Sequence, residues 1–379
     1  MTADAYGSAR AVLEAAHPGL IELSHRIYEN PELGYAEYQA SGWLADALET
    51  AGFAVQRGYA GMETAVVGSI GSGPLHIAIC CEYDALPSVG HACGHNVICS
   101  AGLGAGLALA PLADELGLKL SVLGTPAEES GGGKIGFIED GFFRDVHAAM
   151  MVHPFPEDVI APNLIAVQQM SITYTGRAAH AAGYPWLGIN AADAMVVAQT
   201  AIGLARQQLQ AGDLIHGFVT KGGDAANVIP EETTAEYMVR AATAARLEEL
   251  RGLVRNCFEA GAVATGAALE IVEDIAYRDM RHDEEMAALY LKHAESLGRI
   301  FTQPTSPVST DMGNISYEVP SVHPMIGIET HGAVNHQKEF ADACVEPSAD
   351  QAIFDGALCM ALMAIDMARD ERIKGRLLG

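Results

Sequence analysis

The chain has 379 residues, half of them hydrophobic, enough to bury the cores of two domains. Its 22 Lys and Arg stand against 48 Asp and Glu, a formal charge of -26. That balance repels phosphate backbones and anionic lipid, so neither nucleic acid nor a membrane is expected as a partner.

In chain order, the opening stretch MTADAYGSARAVLEAAHPG lacks a basic flank before an apolar core, and no secretory or transit leader is expected. Periodic apolar positions in GLIELSHRIYENPEL and SGWLADALETAGF predict helices over the first sixty residues, the second stopped by Gly52. Four short apolar runs follow, TAVVGSI, LHIAIC, LKLSVLG and HAAMMV, each with the length and flanks of a buried strand. Helical stretches between them predict an α/β sheet with parallel strands, in which ligands bind beyond the carboxyl ends. Asp84, Glu128, Glu129 and His153 fall at those ends. The Gly- and Ala-rich run Val97 to Ala113 falls short of the ~20 residues that a membrane span needs, and predicts a packed interior helix.

From about Ile165 the pattern becomes strand, helix, strand, strand, helix, strand, in IAVQQMSITYT, INAADAMVVAQTAIGLARQQL, LIHGFVT, TTAEYMVRAAT, RLEELRGLVRNCFEAGAVATG and ALEIVEDI. That βαββαβ order is the ferredoxin-like unit. After Arg278 helices return, then strand-like SVHPMIGIE and a last helix from Gln351 to Ala368. The expected fold is therefore α/β: a mixed-sheet domain with helices on both faces, residues 1–165 and 279–379, interrupted by a ferredoxin-like insertion at 166–278. Seven cysteines without the spacing of a disulfide scaffold point to a reducing cytoplasm.

The chemistry centres on SVGHACGHNVICSAG. Cys93 and His95, two apart between glycines, can face one side of a turning segment. Thiolate, imidazole and carboxylate together suit zinc, with manganese, cobalt and nickel as alternatives. Glu128 and Glu129 leave a strand together, so that one can bind metal while the other accepts a proton from water. His153 and His336 extend the possible ligand set, and spacing alone leaves His331 in competition with His336. A thiol enzyme, with Cys93 as nucleophile and His95 as base, and a non-catalytic metal-binding protein are the competing classes.

Together NPELGYAE, EYDALP, GHACGHN, GTPAEESGGGK, MMVHP, GRAAHAA, GGDAANVIP and NHQKEF cover nearly the whole chain. With them the sequence resembles the M20 metallopeptidases, in the amidohydrolase branch with aminoacylase-like and aminobenzoyl-glutamate-hydrolase-like enzymes. The resemblance implies a catalytic domain carrying two divalent ions, interrupted by a lid that also forms a homodimer. It implies Cys93, His95, Glu129, His153 and His336 as metal ligands, Glu128 as general base, and His336 over His331. His180 of GRAAHAA is similar to the histidine that supports the oxyanion in the partner subunit's active site, while Asn227 and Arg240 resemble lid residues that hold substrate. The implied reaction is hydrolysis of the amide of a small N-acyl amino acid by hydroxide supplied at the metals, with a dipeptidase of the same family as alternative. Asn96 stands where many relatives carry Asp, and CCEYDALP lacks the H-x-D opening of the exopeptidase branches, which leaves Asp84 as an acid that orients a ligand.

Overall fold

The computed structural model describes residues 4–303 and 307–379, so the first three residues of the opening stretch lie outside it. The chain begins with helices α1 (Ala5–Glu29) and α2 (Tyr38–Thr50), the latter followed by Gly52 at a φ of 87°. Strands β1 (Ala54–Tyr59), β2 (Met62–Ile70) and β3 (Leu75–Cys81) follow, then α3 (His95–Leu109), α4 (Ala113–Leu116) and β4 (Leu118–Gly124). Next come α5 (Gly133–Glu139), β5 (Ala148–Met150) and β6 (His153–Phe155). The inserted segment holds β7 (Ala166–Thr175), α6 (Ala191–Ala205), β8 (Leu214–Lys221), β9 (Glu232–Ala241), α7 (Ala244–Thr265) and β10 (Ala268–Glu273). The chain then returns with α8 (Glu284–Ser296), α9 (Met312–Ile315), β11 (Ser321–Val322), β12 (Met325–Gly327), α10 (Lys338–Ala343), α11 (Pro347–Arg369) and α12 (Glu371–Leu378).

Contacts divide the chain into a unit running up to Asn163 and resuming at Met280–Gly379, and a second unit Leu164–Asp279. The first unit has a six-stranded sheet of order β1-β2-β4-β3-β5-β11. Strands β4, β3, β5 and β11 are parallel, but β2 runs antiparallel to β4 and β1 antiparallel to β2, so the sheet is mixed rather than parallel throughout. β1 corrects the expectation of helix across the first sixty residues. It is an edge strand with no fully buried residue, and so carries no apolar run to announce it. SVHPMIGIE also splits into two short strands: β11 joins the main sheet and β12 pairs with β6.

All seven residues of β3 are buried, as the continuous apolar reading requires. Every residue of α3 except Leu107 is buried too, and its small side chains allow close packing: a Cβ on Gly104 would meet Leu20 and Ala357 within 2.9 Å. Two helical stretches, His95–Leu116 and Pro347–Arg369, are long and apolar enough to cross a membrane, the first longer than the sequence suggested. Within their most apolar windows they are 83% and 89% buried inside the protein, the signature of core helices.

In the second unit a four-stranded antiparallel sheet of order β10-β7-β9-β8 matches the predicted ferredoxin-like topology. Strand β9 alternates strictly between half-buried and buried residues over its ten positions, and its buried face packs with α6 and α7. Both helices are capped by side chains: Asn190 accepts from the amides of Ala192 and Asp193, and Thr243 from that of Arg246.

Candidate metal centre and active site

Parallel strands β3, β4 and β5 deliver their next residues to one edge of the sheet of the first unit. β3 is followed by Glu82 and Asp84, β4 by Glu128 and Glu129, and β5 by His153. Helix α3 begins there with His95, after Gly94 turns the chain at a φ of 81°. Any side chain at Gly94 would also strike Pro154, with a Cβ 2.4 Å from Cγ, so the turn that aims Cys93 and His95 requires glycine. His336 arrives from a distant loop, its amide donating to the Ala92 carbonyl at 2.7 Å.

The five expected ligands converge. Donor atoms of Cys93, His95 and His153 lie within 4.8 Å of one another, as do those of Cys93, Glu129 and His336, so Cys93 is common to both groups. The Cys93 Sγ to His153 Nε2 distance is 3.5 Å, and Glu129 lies between two imidazoles, 3.8 Å from His95 Nε2 and 3.7 Å from His336 Nε2. His331 instead pairs with Glu346 at 3.0 Å on the surface. Asp84 holds His95 Nδ1 at 3.0 Å with one oxygen and accepts the Glu129 amide at 3.0 Å with the other, so it orients two of these residues at once. His153 Nδ1 faces the Pro154 carbonyl at 2.8 Å, which places the ring proton there and leaves Nε2 as a lone-pair donor.

Glu128 is buried beside this cluster, its Oε2 3.8 Å from His95 Nε2. Burial, with Glu82, Glu129 and Asp311 close by, pushes its carboxyl well above the usual range against the pull of His95. Burial also lowers His153 to about 4, which keeps the ring neutral. The Cys93 thiol is pushed up by burial and by Glu129, the opposite of what a nucleophilic thiol needs.

The loop bearing the two glutamates is braced by residues that sequence reasoning did not single out. Glu37, inside NPELGYAE and fully buried, accepts the Ala127 amide at 2.8 Å and the Thr64 hydroxyl at 2.8 Å. It thereby fixes Ala127, which sits at a φ of 57° immediately before Glu128. Further in, Lys134 is completely buried, donating to Glu82 at 2.5 Å and Asp311 at 2.6 Å. Asp311 is too distant in sequence to be linked with either partner. A hint for Glu82 and Lys134 was there: each is a charge set directly against an apolar or glycine run, at CCE and GGGK.

A divalent ion fits this donor set on two counts. Glu82, Asp84, Glu128, Glu129 and Asp311 bring five buried or nearly buried carboxyl groups together with one lysine. Glu82 Oε2, His95 Nε2 and Glu129 Oε1 are buried without a hydrogen-bond partner, although such atoms are costly to leave unsatisfied.

His180, Asn227 and Arg240 belong to the second unit. His180 is exposed and bridged to Val228, and the Asn227 carbonyl accepts the Ala181 amide at 2.9 Å, so His180 and Asn227 are neighbours. The His180 Nδ1 accepts from the amides of Ala182 and Gly183 at 3.2 and 3.1 Å, which leaves Nε2 as the N–H donor of the ring. Arg240 lies on β9 with Nη2 3.1 Å from Met238 Sδ, and burial lowers its guanidinium from its usual value.

Residues 167–265 match the peptidase dimerisation domain of the M20 family. The chain is 35% identical to the mouse Xaa-Arg dipeptidase, over 94% of this chain and 87% of that protein. It is 30% identical to a p-aminobenzoyl-glutamate hydrolase polypeptide of Escherichia coli, over 68% of this chain and 58% of that one. A dinuclear metal-binding M20 peptidase from Bacillus subtilis superposes with a TM-score of 0.72 at 21% identity, over 93% of this chain and 98% of the other. A deep donor cluster at the sheet edge, an inserted dimerisation domain and near full-length likeness to its hydrolases place the chain in the M20 family of metal-dependent peptidases and amidohydrolases.

Proposed function

We propose that the protein cleaves the amide bond of small dipeptides, preferring those that end in a basic residue, with N-acyl amino acids as the wider class it accepts. The observation that carries this reading is the convergence of Cys93, His95, Glu129, His153 and His336, with Glu128 beside them, at one sheet edge. These five residues would hold two divalent ions, whose chemistry is to polarise the scissile carbonyl and lower the pKa of water to about 7. Zinc, manganese, cobalt and nickel all suit the mixed sulfur, nitrogen and oxygen donors.

The chain's own residues do the rest. Glu128 takes the proton of the attacking water on its carboxylate and hands it to the departing amine. His180 would donate from Nε2 to the oxyanion that develops in the partner subunit's active site. Asn227 and Arg240 hold the substrate, the arginine fork suiting the terminal carboxylate. Preference for a basic residue is supported by the name of the mouse relative and by the charge of -26, which raises the local concentration of cations. The match to a dimerisation domain supports a homodimer formed through the lid, and seven free thiols suit a reducing, cytoplasmic compartment.

The test is a comparison of metal-reconstituted protein on Ala-Arg, Ala-Glu, N-acetyl-arginine and p-aminobenzoyl-glutamate, read by amine release. Ala-Arg should show the highest kcat/KM, and a chelator should abolish it. Faster turnover of N-acetyl-arginine would reassign the substrate to acyl amino acids, and metal binding without cleavage of any of the four would sink the enzymatic reading.

A further inference from the structure

Glu82 lies one residue beyond β3 and two before Asp84, and is fully buried. Its Oε1 is anchored by the Lys134 ammonium at 2.5 Å, and Lys134 is in turn held by Asp311 at 2.6 Å. Two short charge-assisted contacts on a buried lysine leave Glu82 little rotational freedom. The arrangement turns Oε2 toward His95, 3.4 Å from Nε2, and neither of those two atoms has a hydrogen-bond partner. Three carboxylates surround this nitrogen, and Glu82 is the nearest: Glu128 and Glu129 both stand at 3.8 Å.

The 3.4 Å separation has a geometric meaning. Two donors each ~2.0–2.2 Å from a tetrahedral ion stand roughly 3.3–3.5 Å apart. A pair that approaches this closely without forming a hydrogen bond has the spacing of two ligands that share one cation. His95 already directs its other nitrogen to Asp84, the usual way of aiming a metal-bound imidazole.

We propose that Glu82 is a further ligand of the metal centre, binding through Oε2 the same ion as His95, with Lys134 and Asp311 as the clamp that positions it. This inference rests on the metal centre proposed above. It also sharpens the division of labour among the carboxylates: with Glu82 and Glu129 on metal, Glu128 is left to move the proton. A structural role for Glu82 as a mere counter-ion of Lys134 would give the same buried pair, so activity alone does not separate the two.

The deciding experiment is a crystal structure of the wild-type protein loaded with Zn2+, paired with calorimetric Zn2+ titration and the visible spectrum of Co2+-loaded Glu82→Gln. A Zn2+ ion at ~2.0–2.2 Å from Glu82 Oε2 is expected. So are binding at one of two sites weakened at least tenfold in the variant and an altered Co2+ band. Two bound ions with Glu82 more than ~3 Å from both would overturn the assignment and leave the family ligand set standing. An unchanged Co2+ spectrum with wild-type affinity would do the same. Failure of the wild type to bind any divalent ion would remove both this inference and the metal centre beneath it. If Glu82→Gln does not fold, the wild-type crystal decides alone.

Discussion

The two units handle charge in opposite ways. In the first, carboxylates and a lysine are driven into a fully buried layer at the ends of β3, β4 and β5, where several polar atoms lack partners. In the second, most charge stays at the surface, as in the Arg246 contact with Glu249 and the Lys221 contacts with Asp224 and Glu232, while the core beneath is apolar. Buried and unsatisfied polar groups cost stability unless something else uses them, so the contrast separates a region whose donor atoms could hold ions from one whose core is apolar.

That comparison can be broken at its strongest point first. Replacing Lys134 by Met should leave Glu82 and Asp311 as uncompensated buried charges and lower stability by about 3–5 kcal/mol. Denaturant unfolding of the metal-free protein would read it, and a loss below ~1 kcal/mol would mean that water reaches this layer. Next, His180→Ala should reduce kcat by roughly 10²–10³ while the second unit keeps its far-UV signature, as expected on losing one oxyanion donor. A change confined to KM would instead make His180 a binding residue.

A smaller effect concerns pH. His76 is held neutral by burial and lowered to about 4, its Nδ1 facing the Asp145 carbonyl at 2.9 Å and its Nε2 facing the Ser121 hydroxyl at 2.8 Å. The unfolded chain takes up this proton near 6.5 and the folded chain only near 4. The contribution is therefore complete above 6.5 and is lost as pH falls from 6.5 towards 4. Unfolding curves at several pH values should show this slope, and His76→Gln should flatten it; an identical slope in the variant would assign it to other groups.

The second unit was almost entirely legible in the sequence, because β7 and β9 alternate with period two and α6 and α7 bury apolar residues at helical spacing. In the first unit the buried strands β2, β3 and β4 were readable as apolar runs, and their ends pointed to Asp84, Glu128 and Glu129. What escaped had physical reasons: β1 is an exposed edge, and β11 and β12 have two and three residues. For the site, the residues that converge were named through the motifs of the family resemblance, whereas the Glu82–Lys134–Asp311 ion pairs were not. Lys134 and Asp311 are brought together by tertiary packing across 177 positions, and no local pattern encodes that pairing.

The most direct test of the central claim, that clustered donors bind the ions while Glu128 moves the proton, is the metal content and turnover of Glu128→Gln measured on the same sample. Two ions per chain should remain bound, with the fold intact and kcat reduced by about 10²–10⁴. Retained turnover, or loss of both ions along with activity, would contradict that assignment.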